Sequence, residues 1–94
     1  MTASSPIRRH VYYSGRVQGV GFRWTARHIA QGFAVTGFVK NLEDRRVELV
    51  VEGAPAELDR CCAAIAEHFG ANIRDVAVTE RPVTGEFTTF EIVH

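Results

Sequence analysis

Residues 15–23 read GRVQGVGFR, and the fold turns on this stretch. Gly15, Gly19 and Gly21 lie between a β-branched, aromatic run (Val11, Tyr12, Tyr13) and a run with helical spacing (Phe22, Ala26, Ile29, Ala30, Phe33). That order predicts a strand, a glycine loop and a helix. Glycine tolerates positive φ and lets a ligand approach the main chain closely. The first turn of a helix leaves N–H groups unpaired and carries partial positive charge, so the junction is a ready anion site. Arg23 sharpens the reading. A cation in the first turn opposes the helix dipole by about 0.3 kcal/mol or more unless an anion sits between it and the loop. A tight turn with Arg23 in water fits the same local pattern equally well. The GxGxxG pattern fails because Trp24 stands where its last glycine belongs, and GxxxxGK[ST] fails for want of a Lys-Ser or Lys-Thr, so no nucleotide cofactor is indicated.

Working outward, alternation predicts a first strand from about Arg8 to Ser14, with Val11 and Tyr13 inward and His10 and Tyr12 on the other face. The first helix carries Phe22, Ala26, Ile29, Ala30 and Phe33 on one stripe and frays at Gly32. A second strand is expected from about Val35 to Leu42 and a third from about Arg46 to Glu52, joined by a turn at Glu43, Asp44 and Arg45. In the third strand Val47, Leu49 and Val51 point inward, with Glu48 and Glu52 outward. Gly53, Ala54 and Pro55 open a second helix with an apolar stripe of Leu58, Cys61, Cys62, Ile65 and Phe69, and Gly70 stops it. A fourth strand follows from Ile73 to about Glu80, and a short last one from about Thr89 to Val93 buries Phe90 and Ile92. The order is that of an α+β, ferredoxin-like βαββαβ sandwich: a mostly antiparallel sheet, two helices on one face, and a short extra C-terminal strand. Such a fold does not settle function.

The chain has 94 residues, enough for one domain over residues 1–94, with residues 1–7 expected to be a flexible N-terminus. Eleven basic residues balance eleven acidic ones, so no global field gathers nucleic acid or a membrane surface, and anion recognition must be local. Met1 to Pro6 lack the apolar stretch of a secretory signal, and nothing later approaches the roughly 20 apolar residues of a membrane span. A cytoplasmic protein is expected. Cys61 and Cys62, adjacent on a helix, read as reduced core or boundary thiols.

GRVQGVGFR at 15–23, followed by GFVKN at 37–41 and LEDRRVE at 42–48, closely resembles the acylphosphatases, and the resemblance extends from about Arg8 to Val93. It implies hydrolysis of a carboxyl–phosphate anhydride to a carboxylate and inorganic phosphate, without metal or cofactor. By that resemblance Arg23 binds the phosphate, Asn41 orients the attacking water, and Arg16, Val17, Gln18, Gly19, Val20 and Gly21 form the loop whose amides hold the phosphate. The chemistry of these residues agrees. An acyl phosphate already has a good leaving group, so positioning and charge stabilisation can carry catalysis. A guanidinium fork matches phosphate geometry, and a carboxamide both donates and accepts hydrogen bonds. Asn41 cannot act as a base at neutral pH. Taken alone it also reads as an ordinary strand-end turn residue.

Other candidates are weaker. His10, His28, His68 and His94 lack ligand spacing and read as solvated or packing histidines. Glu48, Glu52, Glu57, Asp59 and Glu67 read as solvated faces, while Trp24 and Arg27 flank Arg23 on the helix surface or the approach to the site. Ala34 and Arg45 stand where the family usually has glycine, so a reshaped end of the first helix and either strain or a changed turn type at Arg45 are expected, with lower stability rather than lost chemistry. Two other classes remain in view. Tyr12 and Phe38 on an open sheet face could stack bases, though the RNP1-type string is absent. A non-catalytic anion-binding domain, or one like that opening the hydrogenase-maturation carbamoyltransferases, would share the loop. The length of the chain favours a free-standing enzyme, and its short apolar stripes and neutral surface a monomer; the expected partners are a small acyl phosphate and inorganic phosphate, with no nucleic acid and no membrane.

Overall fold

Alternation along the first strand decides which face of the sheet is buried: Val11 and Tyr13 are each 1% exposed, while His10 and Tyr12 on the opposite face are only partly covered. The computed structural model describes residues 5–94. Of the start expected to be flexible, residues 1–4 lie outside the described residues, and Ile7 is already paired in the sheet. The elements are β1 (Ile7–Gly15), α1 (Phe22–Ala30), β2 (Val35–Asn41), β3 (Val47–Gly53), α2 (Pro55–Phe69), a single 3-10 turn (Gly70–Asn72), β4 (Ile73–Pro82) and β5 (Phe90–Val93). Their bounds depart from expectation by a residue or two, chiefly because β2 already ends at Asn41 and β3 begins at Val47. The sheet order is β4-β1-β3-β2-β5. β3 is antiparallel to both β1 and β2, β4 is antiparallel to β1, and β5 runs parallel to β2. This is the α+β, ferredoxin-like arrangement, with the extra strand at the C-terminal side.

The two helices cover one face. Phe22, Ala26 and Ala30 of α1 and Leu58, Cys61, Ile65 and Phe69 of α2 close over Val11, Tyr13, Val39, Leu49 and Val51. Phe22 stacks on Phe69 at 4.1 Å and tilts against Tyr13 at 5.0 Å. That cluster locks the first residue of α1 to the last of α2, each buried aromatic contributing about 2 kcal/mol. Pro55 sits at the start of α2 and Gly70, at φ 49°, ends it. Both cysteines are free, and burial pushes the Cys61 thiol up to about 12, as suits a core thiol.

Glu52 departs from the sequence reading: it is 4% exposed rather than solvated, and Val50 on the same side is fully buried. The cause is the segment 83–89, which crosses the second face of the sheet. Thr84 donates from its N–H and its Oγ1 to the Glu52 carboxylate (2.9 and 3.0 Å), the Gly85 N–H donates at 3.1 Å, and Arg8 Nε donates at 2.7 Å. Burial by itself would raise the Glu52 carboxyl. The donors from Thr84, Arg8 and Gly85 outweigh burial and hold it down to about 2. Arg8 also reaches Glu86 and lies 5.0 Å over the Phe87 ring, which meets Phe38 edge-on at 5.8 Å. Val76 and Val78 alternate as expected but are 49% and 53% exposed, because β4 is an edge strand beyond the cover of α2.

Of the two positions where the family usually has glycine, only Arg45 takes a left-handed backbone. Arg45 has φ 76° and is the only described non-glycine residue with positive φ. The Leu42 N–H donates to the Arg46 carbonyl at 2.8 Å and the Arg45 N–H to the Leu42 carbonyl at 3.2 Å. This is a three-residue hairpin loop whose last residue is left-handed, a place that favours glycine by about 1 kcal/mol. Asp44 supports the turn, accepting from the Arg46 N–H at 3.1 Å and Arg46 Nε at 2.8 Å. Ala34 has no positive φ, and its N–H donates to Glu57 at 2.9 Å. Glu57 is thus a partly covered hydrogen-bond acceptor rather than a free surface carboxylate.

Candidate active site

Sheet register sets the site. β1, β2 and β5 run in one direction, so their C-terminal ends meet at one edge of the sheet. Tyr13 pairs with Val47 and Val47 with Asn41. Asn41 therefore lies two strand spacings, about 10 Å, across from the end of β1. The glycine loop leaves β1 at Gly15 and delivers the chain to α1 at Phe22, so loop, helix start and Asn41 share that edge.

Three anchors shape the loop. The Arg16 N–H donates to the Asn72 carbonyl at 2.8 Å, Val17 is fully buried in the core, and Gln18 Nε2 donates to the Leu42 and Arg46 carbonyls at 2.8 and 2.9 Å. Two of these anchors refine the residue roles implied by the resemblance. The Arg16 amide is already bonded within the fold, and the Gln18 side chain braces the β2–β3 hairpin. Beyond them the backbone turns outward. Gly19 and Gly21 take left-handed φ of 78° and 75°, and Gly21 caps α1 without any side-chain hydrogen bond. The N–H groups of residues 17–24 have no acceptor among the described residues. The first turn of α1 contains no acidic residue, so its dipole and the charge of Arg23 stand uncompensated.

A pocket of about 200 Å³ opens beside this turn, lined by Val17, Gly19, Gly21, Arg23, Trp24, Asn41, Ile92 and His94. Arg23 and Asn41 are thus brought to one cavity with the loop. Asn41 Oδ1 is buried there with no hydrogen-bond donor among the described residues, an arrangement that calls for a donor from outside the chain. Arg23 Nη1 lies 3.2 Å from His94 Nδ1. His94 had read as a solvated or packing histidine, and its place here follows from the parallel pairing of β5 with β2, which no local sequence pattern signals. His10, His28 and His68 do not line this cavity: His10 is 4.0 Å from Glu48, His28 stacks on the exposed side chain of Trp24 and His68 meets Phe69 edge-on. Arg27 faces Glu91 at 3.8 Å. Among the described residues no group of three or more His, Cys, Asp or Glu could hold a metal ion. The cavity can therefore bind an anion through amides and a guanidinium, and hold a water through a carboxamide oxygen.

A family model described as Acylphosphatase matches residues 9–92. An acylphosphatase of Marinobacter nauticus is 42% identical over 92 residues, covering 93% of this chain and 96% of that one. The crystal structure of an acylphosphatase from Bacillus subtilis superposes with a TM-score of 0.86 at 32% identity, covering 94% of this chain and 99% of that one. Full-length HypF, in its phosphate- and nucleotide-bound form, contains a matching portion with a TM-score of 0.80 at 28% identity, covering 99% of this chain but 12% of that one.

Proposed function

The chain belongs to the acylphosphatase family, and from that premise we propose how its own residues carry the hydrolysis of an acyl phosphate to a carboxylate and inorganic phosphate. The amides from Val17 onward and the Arg23 guanidinium hold the phosphoryl oxygens. Asn41 Oδ1 accepts a hydrogen bond from the attacking water and aims its oxygen at phosphorus, opposite the acyl oxygen. As the water oxygen bonds to phosphorus, the bond to the acyl oxygen breaks and the carboxylate leaves with the electron pair. The proton of the water passes to a phosphoryl oxygen, since Asn41 has no basicity to offer at neutral pH. Charge that builds on the phosphoryl oxygens meets donors already in place, which is where such sites gain most of their rate.

One observation carries this reading: Val17, Gly19, Gly21, Arg23 and Asn41 line one small cavity, the loop amides have no acceptor among the described residues, and Asn41 Oδ1 is buried without a donor. The enzyme works as a cytoplasmic monomer and needs neither metal nor cofactor. No described helix is long and apolar enough to cross a membrane. A nucleic-acid partner is not expected, since Phe38 meets Phe87 edge-on and Tyr12 lies 4.6 Å beneath the Arg46 guanidinium, so both rings are engaged within the chain. Lack of retardation of single-stranded RNA in a low-salt gel shift is the expected check.

The test is hydrolysis of benzoyl phosphate in EDTA. Wild-type protein should turn over, and Arg23→Ala and Asn41→Ala should each lose roughly 100-fold or more in kcat/KM while keeping the wild-type circular dichroism. The Asn41→Ala loss should fall on kcat with KM nearly unchanged, because Asn41 touches water rather than phosphate. Full activity in the folded Asn41→Ala variant would overturn its role.

A further inference from the structure

Among the ten arginines of the chain, Arg8, Arg9, Arg27, Arg46 and Arg60 each face a carboxylate within ion-pair distance. Five do not among the described residues, and four of those five gather around the glycine loop. Arg23 lines the pocket described above. Arg16, Arg45 and Arg74 line an open cleft of about 870 Å³ on the other side of the loop, together with Gly19 and one carboxylate, Asp75. Gly19 borders both cavities and is the residue that separates them. In a chain with no net charge, this segregation of unpaired cations beside an anion-binding loop is a local feature. Arg45 adds a second observation. It holds the one left-handed backbone among the described non-glycine residues, in a turn that glycine would occupy without strain. Strain kept beside a ligand cavity points to a use for the side chain.

We propose that the cleft receives the acyl part of the substrate and that Arg16, Arg45 and Arg74 select acyl phosphates whose acyl group carries a second negative charge. The proposal rests on the reading of the loop, Arg23 and Asn41 as the phosphoryl site. With the phosphorus held there, an acyl chain leaving past Gly19 enters the cleft, where the three guanidinium groups outnumber the single carboxylate of Asp75. A neutral acyl chain gains nothing from them. The field of these exposed cations acts mainly on capture of the substrate, so the selection falls on KM.

The experiment compares succinyl phosphate, whose acyl chain ends in a carboxylate, with butyryl phosphate, which lacks it. It uses wild-type protein, Arg45→Gly and Arg74→Gln. Wild-type kcat/KM should favour succinyl phosphate by about three- to tenfold at low salt, as exposed charge pairs of this kind permit, and the preference should shrink in 0.5 M KCl, where the screening length is about 4 Å. Each variant should lose about two- to fivefold on succinyl phosphate, through KM, with butyryl phosphate unchanged. Equal kcat/KM for the two substrates in the wild type, or parallel losses on both in the variants, overturns the proposal and leaves the phosphoryl site intact. Hydrolysis of neither substrate would bring down the phosphoryl-site reading and this proposal with it.

Discussion

Arg23 and a lysine at the same position would carry the same charge, yet a lysine cannot offer two parallel donors to a phosphoryl group. Arg23→Lys should therefore bind inorganic phosphate weakly but measurably and lose roughly tenfold or more in kcat, read from benzoyl phosphate hydrolysis. Glu52 shows the opposite logic, a charge whose role is structural. Its carboxyl lies at about 2 against an ordinary 4.5, so the folded state favours the ionised form. The stability this brings is complete above the ordinary value and is lost as pH falls through the window from about 4.5 to 2. After allowance for solvent screening it is on the order of 2 kcal/mol. Urea midpoints of wild type followed from pH 6 to pH 2 should fall through that window, and the Glu52→Gln variant should start lower and show a flatter curve there.

Turns and strand ends hold the clearest consequences among the elements. Arg45→Gly removes a left-handed side chain from the β2–β3 hairpin and should raise stability by about 1 kcal/mol, seen as a higher urea midpoint with an unchanged slope. Gly37 is the reverse case. It sits in mid-strand at φ 144°, and a Cβ there would overlap the Val50 carbonyl oxygen of β3. Gly37→Ala should therefore break the β2–β3 ladder and cost about 3 kcal/mol or more, enough to be read in thermal unfolding. Elements of this kind were legible because the chain marks them locally: Gly21 before α1, Pro55 at the start of α2, Gly70 at its end, and strict alternation through Val47, Leu49 and Val51. The segment 83–89 was not, since Val83 to Phe87 follow no period and their meaning lies in Glu52 and Phe38, far away in sequence. Arg23 and the glycine loop could be named from their residue types and spacing, whereas Asn41, an ordinary strand-end residue by itself, was singled out only by the family resemblance. His94 could not, because its place depends on β5 pairing in parallel with β2.

At the scale of the whole molecule, the first strand joins the two ends of the chain: β1 pairs with β3 and with β4, both distant in sequence. The complete sheet therefore needs both ends of the chain, and unfolding should be a single cooperative step. Coincident urea transitions by fluorescence of Trp24 and by circular dichroism would check this. Sedimentation should give one species near 10.4 kDa, with solubility lowest near pH 7, where the net charge vanishes. The loop adds a consequence for flux. On the proposed reading of the loop as the phosphoryl site, Asn72, the core around Val17 and the hairpin carbonyls hold it in one shape, so its grip should scarcely distinguish the phosphoryl group of a substrate from the orthophosphate left behind. Orthophosphate should then compete with substrate, and at a hundred times its dissociation constant it should stabilise the fold by about 2.7 kcal/mol, readable as a raised melting temperature. An enzyme built this way slows as its own product accumulates, so the phosphate level of its surroundings becomes the throttle on its turnover.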